Sequence, residues 1–175
     1  IIYQFIKGKC MKNAFTKVLL ITAMLLGTSV ITQAQSNYNT AIGGRFGGLT
    51  SGITLKTFVA GNAALEGIVS FGSNSFIITG LYEQHNQIAG APGLQMLYGI
   101  GGHIGFFDEG GSYYYFRGNR VYSKGSVVGM DLILGLDYKF KGAPINIGID
   151  IKPIIDFFDG TQIYFDSGLS VRLTF

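Results

Sequence analysis

Cysteine is all but missing from this chain. The one thiol, Cys10, lies ahead of Met11, so from Met11 onward the fold has neither a disulfide nor a thiolate metal site to stabilise it. Tryptophan is absent, proline occurs three times, and only 13% of the 175 residues are charged. With 27 glycines, 14 phenylalanines and 10 tyrosines, that is not the profile of a cytosolic domain, although the length suits a single one. Long apolar runs are also lacking: after Gln35 no window holds 18 consecutive apolar residues, which excludes a spanning helix from that part of the chain.

One shorter apolar run has a specific meaning. From Met11, "MKNAFTKVLLITAMLLGTSVITQAQ" begins with Lys12 and Lys17, continues apolar from Val18 to Leu26, and ends in small or polar residues at Ala34 and Gln35. Residues 11–35 therefore read as a secretory signal peptide with cleavage near Ala34, and residues 1–10 as an upstream extension of the reading frame. Residues 36–175 are left as the mature domain. Removing Lys7, Lys9, Lys12 and Lys17 lowers the basic count from 13 to 9 against 10 acids, so the mature chain is close to neutral. The basic balance of the whole chain belongs to its leader and gives no reason to expect nucleic acid as a partner.

The mature region is dominated by period two. From Val128 to Phe140 the even positions Val128, Met130, Leu132, Leu134, Leu136, Tyr138 and Phe140 are apolar; between them lie Gly129, Asp131, Gly135, Asp137 and Lys139, with Ile133 as the exception. Ile145, Ile147, Ile149 and Ile151 alternate with Asn146, Gly148, Asp150 and Lys152, and Phe165 to Phe175 repeats the scheme with Asp166, Gly168, Ser170, Arg172 and Thr174. Alternation of this kind puts one set of side chains on each face of a strand. Further strands are expected at Thr40–Gly47, Ile53–Val59, Ala63–Gly72, Phe76–His85 and Leu94–Phe107, giving eight in all. Between them "GGLTSG", "AGNA", "GSNS", "APG", "KGAP" and "FDGTQ" supply the turn chemistry of antiparallel hairpins.

Two arrangements fit such strands. A soluble barrel turns its apolar face inward, whereas an outer-membrane barrel turns it to lipid and lines its lumen with the polar set. Here the apolar set is bulky and nearly uncharged, and the polar set is small and balanced in sign: Arg45, Lys56, Lys139, Lys152 and Arg172 against Glu66, Glu83, Asp131, Asp137 and Asp150. Such a set is expected to pair inside a narrow lumen and to close it. A narrow solute path through the same groups is the alternative, as is a soluble, lipocalin-like ligand-binding barrel.

With an exported leader, eight alternating strands and the ending "GLSVRLTF", residues 36–175 resemble the small eight-stranded bacterial outer-membrane β-barrel proteins, the class of the OmpA transmembrane domain and OmpX. The resemblance implies an all-β, up-and-down antiparallel transmembrane barrel, exported to the bacterial outer membrane and built as a monomer. It also implies outer-membrane lipid, lipopolysaccharide and the barrel assembly machinery as partners. Leu169, Val171, Leu173 and the terminal Phe175 match the C-terminal assembly signal of that class. It implies no reaction. The class has short periplasmic turns, whereas the segment 84–93, "QHNQIAGAPG", which would be one, is long.

Chemistry beyond this is thin. His103 shares the inward face, with Glu66 and Glu83 on strands able to approach it as orienting carboxylates. No G-x-S-x-G nucleophile setting is present, so a lipid-modifying enzyme is only an alternative and no catalytic residue is assigned. His85, at an expected strand end, reads as solvated. The longest outer loop, 109–126, combines Tyr113, Tyr114, Tyr115, Phe116 and Tyr122 with Arg117, Arg120 and Lys124. Aromatics and cations together suit a phosphorylated glycolipid, a glycan or a protein partner, or an interfacial aromatic belt. Asp156 and Asp159 around a glycine fall short of a calcium loop, and no metal or cofactor is expected.

Overall fold

The computed structural model describes residues 38–72, 74–107, 112–116, 119–122, 125–157 and 162–175. The leader 11–35 and the extension 1–10 lie outside the described residues. Among the described residues ten strands form: β1 (Thr40–Gly47), β2 (Gly52–Ala60), β3 (Ala63–Gly72), β4 (Ser75–Gln87), β5 (Leu94–Phe107), β6 (Ser112–Phe116), β7 (Asn119–Tyr122), β8 (Gly125–Lys139), β9 (Ile145–Asp156) and β10 (Gln162–Thr174). Eight of them close an antiparallel barrel in the order β1-β10-β9-β8-β5-β4-β3-β2, while β6 and β7 form a separate hairpin within the β5–β8 connection.

The expected strands at Thr40–Gly47, Ala63–Gly72 and Leu94–Phe107 coincide with the observed ones; the others extend by one to four residues at one or both ends, except that β8 and β10 stop one residue short of the expected Phe140 and Phe175. The segment 84–93 is corrected: Gln84–Gln87 continue β4, which shortens the connection to residues 88–93. The 109–126 segment is corrected as well. It is not a bare loop but holds β6 and β7, and its last two residues already belong to β8.

The ladder fixes the geometry. Tyr164 pairs with Ile154, Ile154 with Asp131, Asp131 with Gly101, Gly101 with Leu81, Leu81 with Glu66, Glu66 with Lys56, Lys56 with Ala41, and Ala41 with Thr174. One circuit thus returns to β10 ten residues further on, a stagger that tilts every strand against the axis. An eight-stranded barrel is just wide enough for its own side chains to fill. The β8–β9 ladder lapses between the pairs Asp131–Ile154 and Leu134–Ile151, beside Pro153, which has no N–H to give.

The same stagger shows that the wall is uneven. At the end carrying both termini all strands finish nearly level. At the opposite end β5 and β8 continue six residues beyond the register line just traced, to Phe107 and Gly125, whereas β2 stops at Gly52. With about 3.3 Å per residue along tilted strands, the β1–β2 hairpin ends roughly 15 Å lower than the β5–β8 wall. Around this low segment stand Phe165, Phe46, Ile163, Phe71 and Ile53, the five most exposed large apolar side chains among the described residues, at 56–69%.

The faces are inverted relative to a water-soluble protein. Ile42, Leu55, Leu65, Ile78, Ile100, Leu132, Leu134, Ile149, Ile151, Val171 and Leu173 lie exposed on the outside, while Arg45, Lys56, Glu66, Glu83, Asp131, Asp137, Lys152 and Arg172 are buried inside. The interior also holds two apolar patches. Ile77, Phe107, Val127 and Ile154 pack together near the long-loop end with Leu49 and Tyr164, and Ile68, Leu81, Leu97 and Ile133 pack midway. Ile133, the exception to the alternation, is therefore an inward residue that fills lumen.

Candidate functional site

Among the described residues the charged lumen side chains fall into three ionic clusters. Nearest the termini, Lys56 on β2 lies 3.2 Å from Glu66, 2.8 Å from Glu83 and 3.1 Å from Asp137. Arg172 on β10 reaches Glu66 at 2.5 Å, Asp137 at 3.4 Å and the side-chain oxygen of Asn146 at 3.1 Å, and Thr54 donates to Glu66 as well. His85 closes this cluster, with Nε2 3.0 Å from Glu83 and Nδ1 3.2 Å from the Gln95 oxygen. It is buried, which corrects its expected solvation: β4 runs on past it to Gln87. Phe58 packs edge-on against its ring at 4.9 Å, and Tyr38 against Phe58 at 5.3 Å, so an aromatic stack caps the cluster.

Higher in the barrel, Arg45 on β1 donates to Asp150 at 2.5 and 3.2 Å, to Asp166 at 2.8 Å, and to the carbonyl and hydroxyl of Thr50 at 3.1 Å each. In the third cluster His103 Nδ1 is hydrogen-bonded to Asp131 at 2.7 Å and its Nε2 lies 3.0 Å from Asp156, while Lys152 lies 3.3 Å from Asp131. Glu66 and Glu83 are thus not the partners of His103. His103 faces Thr79 and Gly129 across the ladder, and Glu83 lies four residues further along β4, opposite Gly99. Asp131 and Asp137 belong to different clusters, with Ile133 inward between them.

Lys56 reaches Glu83 over the β3 residues Ala64 and Glu66, whereas three other contacts that span two strands each cross a glycine. An ideal Cβ on Gly168 of β10 would lie 2.5 Å from Arg45 Cζ, in the path from β1 to Asp150 on β9. A Cβ on Gly148 of β9 would strike the Asp137 carboxylate and stand 3.1 Å from Arg172 Nη1, between β8 and β10. On Gly129 of β8 it would lie 2.9 Å from His103 Nε2, between β5 and Asp156 on β9. At Gly168, Gly148 and Gly129 the missing side chain is what lets a charged group pass over the intervening strand.

The balance of sign differs from the five against five expected. Lys139 is only half-buried at the last residue of β8, and its ammonium is taken by the carbonyls of Phe140 at 3.1 Å and Ala143 at 2.6 Å. Asp156 and Asp166 join the interior instead, so seven carboxylates face Arg45, Lys56, Lys152 and Arg172, with His103 wedged between two of the acids. Alternation along β9 and β10 already places both aspartates on the inward face, although the sequence balance does not count them.

On the outside, Leu169, Val171 and Leu173 of β10 and Phe175 just beyond it, the expected assembly signal, are exposed. The side chains of the outer-loop candidates Tyr113, Tyr114, Tyr115, Phe116, Arg117, Arg120, Tyr122 and Lys124 lie outside the described residues, as does Asp159. The backbone register of the hairpin sets Tyr115 opposite Arg120 and Tyr114 opposite Val121. No group of three or more metal-ligating side chains suited to an ion occurs among the described residues.

No family model and no curated protein matches this chain. Among solved structures it is similar to the crystal structure of Neisserial surface protein A (NspA), with 11% identity over 78% of this chain and 93% of that one, at a TM-score of 0.46. The fold assignment rests on the strand order and register: the chain is an all-β, eight-stranded, antiparallel up-and-down barrel.

Proposed function

We propose that this barrel is an integral protein of a bacterial outer membrane, with a lumen closed by its ionic clusters and a structural or surface-interaction role. The observation that supports this most is the inversion of faces. Large apolar side chains cover the outside of all eight barrel strands while the charged ones are buried. In water such a belt would far exceed the few hundred Å² of contiguous apolar surface that soluble monomers tolerate. In lipid it is the low-energy exterior, and strands of 8–15 residues suit the ~25 Å band. Aromatics collect at both rims: Phe71, Phe76 and Phe106 in ring contact at one end, Tyr138 and Phe140 at the other.

On this reading the β6–β7 hairpin and its flanks are the interaction surface, where aromatic and cationic residues meet lipopolysaccharide phosphates, a glycan or a protein. The row ending at Phe175 is the signal for barrel assembly, and the working unit is a monomer. No reaction is assigned to the lumen. Membrane fractionation with gel mobility before and after boiling tests the proposal. A membrane-bound protein that needs detergent for extraction and shifts on heating supports it; a protein recovered without detergent and showing no shift supports the soluble, ligand-binding alternative instead.

A further inference from the structure

The turn between β1 and β2, residues 48–51, is folded inward: Thr50 at its middle is 4% exposed, and Leu49 is half-buried. Its two ends are tied by backbone bonds at 3.0 Å, Gly48 donating to the Ser167 carbonyl of β10 and Phe71 of β3 donating to the Ser51 carbonyl. Its middle is not. Among the described residues neither Leu49 nor Thr50 makes a backbone–backbone hydrogen bond. Asp166 and its guanidinium partner hold them instead. The carboxylate accepts from the Leu49 N–H at 2.9 Å and from the Thr50 hydroxyl at 2.6 Å, while Arg45, 2.8 Å from the same carboxylate, donates to the Thr50 carbonyl at 3.1 Å.

Held in this way, Leu49 packs inside the barrel against Ile77, Phe107, Val127 and Ile154. Those four belong to β4, β5, β8 and β9, on the taller side of the wall, whereas Leu49 comes from its lowest part. Above the turn the wall has a gap, since β1 and β2 have ended and β10 runs on without a β1 neighbour beyond Ser167. The turn thus closes an opening in the side of the barrel. Both surfaces that it separates are apolar: the cluster within, and outside it the exposed Phe46, Ile53, Phe71, Ile163 and Phe165. The charges beneath do not depend on it, because Arg45 also pairs with Asp150.

We propose that this turn is a lid latched by Asp166, and that lifting it opens the apolar part of the lumen sideways, over the low wall, to an alkyl chain rather than to water. Lifting withdraws one leucine from the cluster and leaves an apolar recess, where water would lack hydrogen-bond partners and an alkyl chain would need none. A short turn whose middle is held by side-chain bonds to one carboxylate opens at the cost of few contacts, unlike a segment paired in the ladder. The inference rests on the membrane reading, because only a bilayer sets alkyl chains beside the low wall.

The test uses the full barrel in lipid nanodiscs, with isoleucine methyl groups labelled for NMR and two relaxation agents: a lipid carrying a nitroxide on its alkyl chain, and a gadolinium chelate confined to water. Thr50→Val and Asp166→Asn each weaken the latch, and losing a bond to a charged group shifts an opening equilibrium by about tenfold or more. In both variants the nitroxide lipid is expected to raise relaxation at Ile77 and Ile154 about threefold or more above the unaltered chain, with no such rise from the chelate. Ile68 and Ile133, in the midway cluster, are expected to stay unchanged, which separates a lifted lid from a loosened barrel. Ser51→Ala removes only bonds to Gly47 within the turn and is expected to behave as the unaltered chain. No rise at Ile77 and Ile154 in the two latch variants, an equal rise at Ile68 and Ile133, or an equal rise with the chelate would overturn the proposal. An absent nitroxide effect at the outward Ile149 and Ile151 would overturn the membrane reading itself, and the lid's apolar exit with it.

Discussion

Arg45 and Asp150 meet across an intervening strand: the guanidinium leaves β1, passes over Gly168 of β10, and reaches the carboxylate on β9 at 2.5 Å. The contact exists only because β10 has no side chain at that point. Gly168→Ala would put a methyl 2.5 Å from Cζ and push the guanidinium off its partner. Breaking a buried pair costs about 3–5 kcal/mol, so a loss near that range is expected in urea unfolding. Gly67→Ala, with nothing within 4 Å of the added carbon, serves as control and is expected to change stability by about 0.5 kcal/mol or less. Equal effects at the two sites would show that the crossing carries no weight.

Lys56 is fully buried among three carboxylates. Lys56→Met leaves those charges facing one another and is expected to destabilise the barrel by about 3 kcal/mol or more, because an uncompensated buried charge costs more than the pair contributes. Adding Asp137→Asn should recover part of that loss. Additive single effects in this double-mutant cycle would mean that the two residues are not coupled.

Between the ionic clusters lie apolar contacts, Ile68, Leu81, Leu97 and Ile133 midway and Ile77, Phe107, Val127 and Ile154 above. On the proposed reading, a lumen filled in this way has no continuous water path. Protein reconstituted in planar bilayers is expected to show no conductance steps, and reproducible steps would contradict a closed lumen.

The β10 strand outruns its neighbour. β1 ends at Gly47, paired with Gly168, and Gly48 donates to the Ser167 carbonyl, after which no backbone bond from β1 reaches further along β10 among the described residues. In an antiparallel strand alternate residues face the same neighbour, so the amides of Phe165 and Ile163 point toward the missing wall. Their protons are expected to exchange at least a hundredfold faster in micelles than those of Val171 and Leu169, roughly the effect of losing a few kcal/mol of protection. Comparable protection at all four positions would mean that the edge is covered.

The fold was legible because one physical rule, alternation, governs almost every strand. Thr40–Gly47, Ala63–Gly72 and Leu94–Phe107 follow from it to the residue. The rule is silent where a strand begins or ends, which is why His85 reads as solvated although β4 carries it inside, and why Lys139 reads as a lumen residue although β8 ends there and turn carbonyls take its charge. Pairing is equally beyond it. Alternation puts His103, Asp131 and Asp156 on inward faces, but only the register shows that His103 meets these two acids and not Glu66 or Glu83. The meaning of Gly129, Gly148 and Gly168 likewise needs the crossing side chains to be seen.

The central claim is that the outside of this barrel faces lipid. Because Cys10 is the only cysteine and precedes the expected leader, single cysteines at Leu134, Ile151 and Leu169 can each carry a spin label in the reconstituted mature chain. Power-saturation measurements in bilayers then compare relaxation by lipid-soluble oxygen with relaxation by a water-soluble nickel chelate. Strong oxygen access with weak nickel access at all three sites is the predicted result; nickel access equal to that of a label in the 109–126 segment would contradict it.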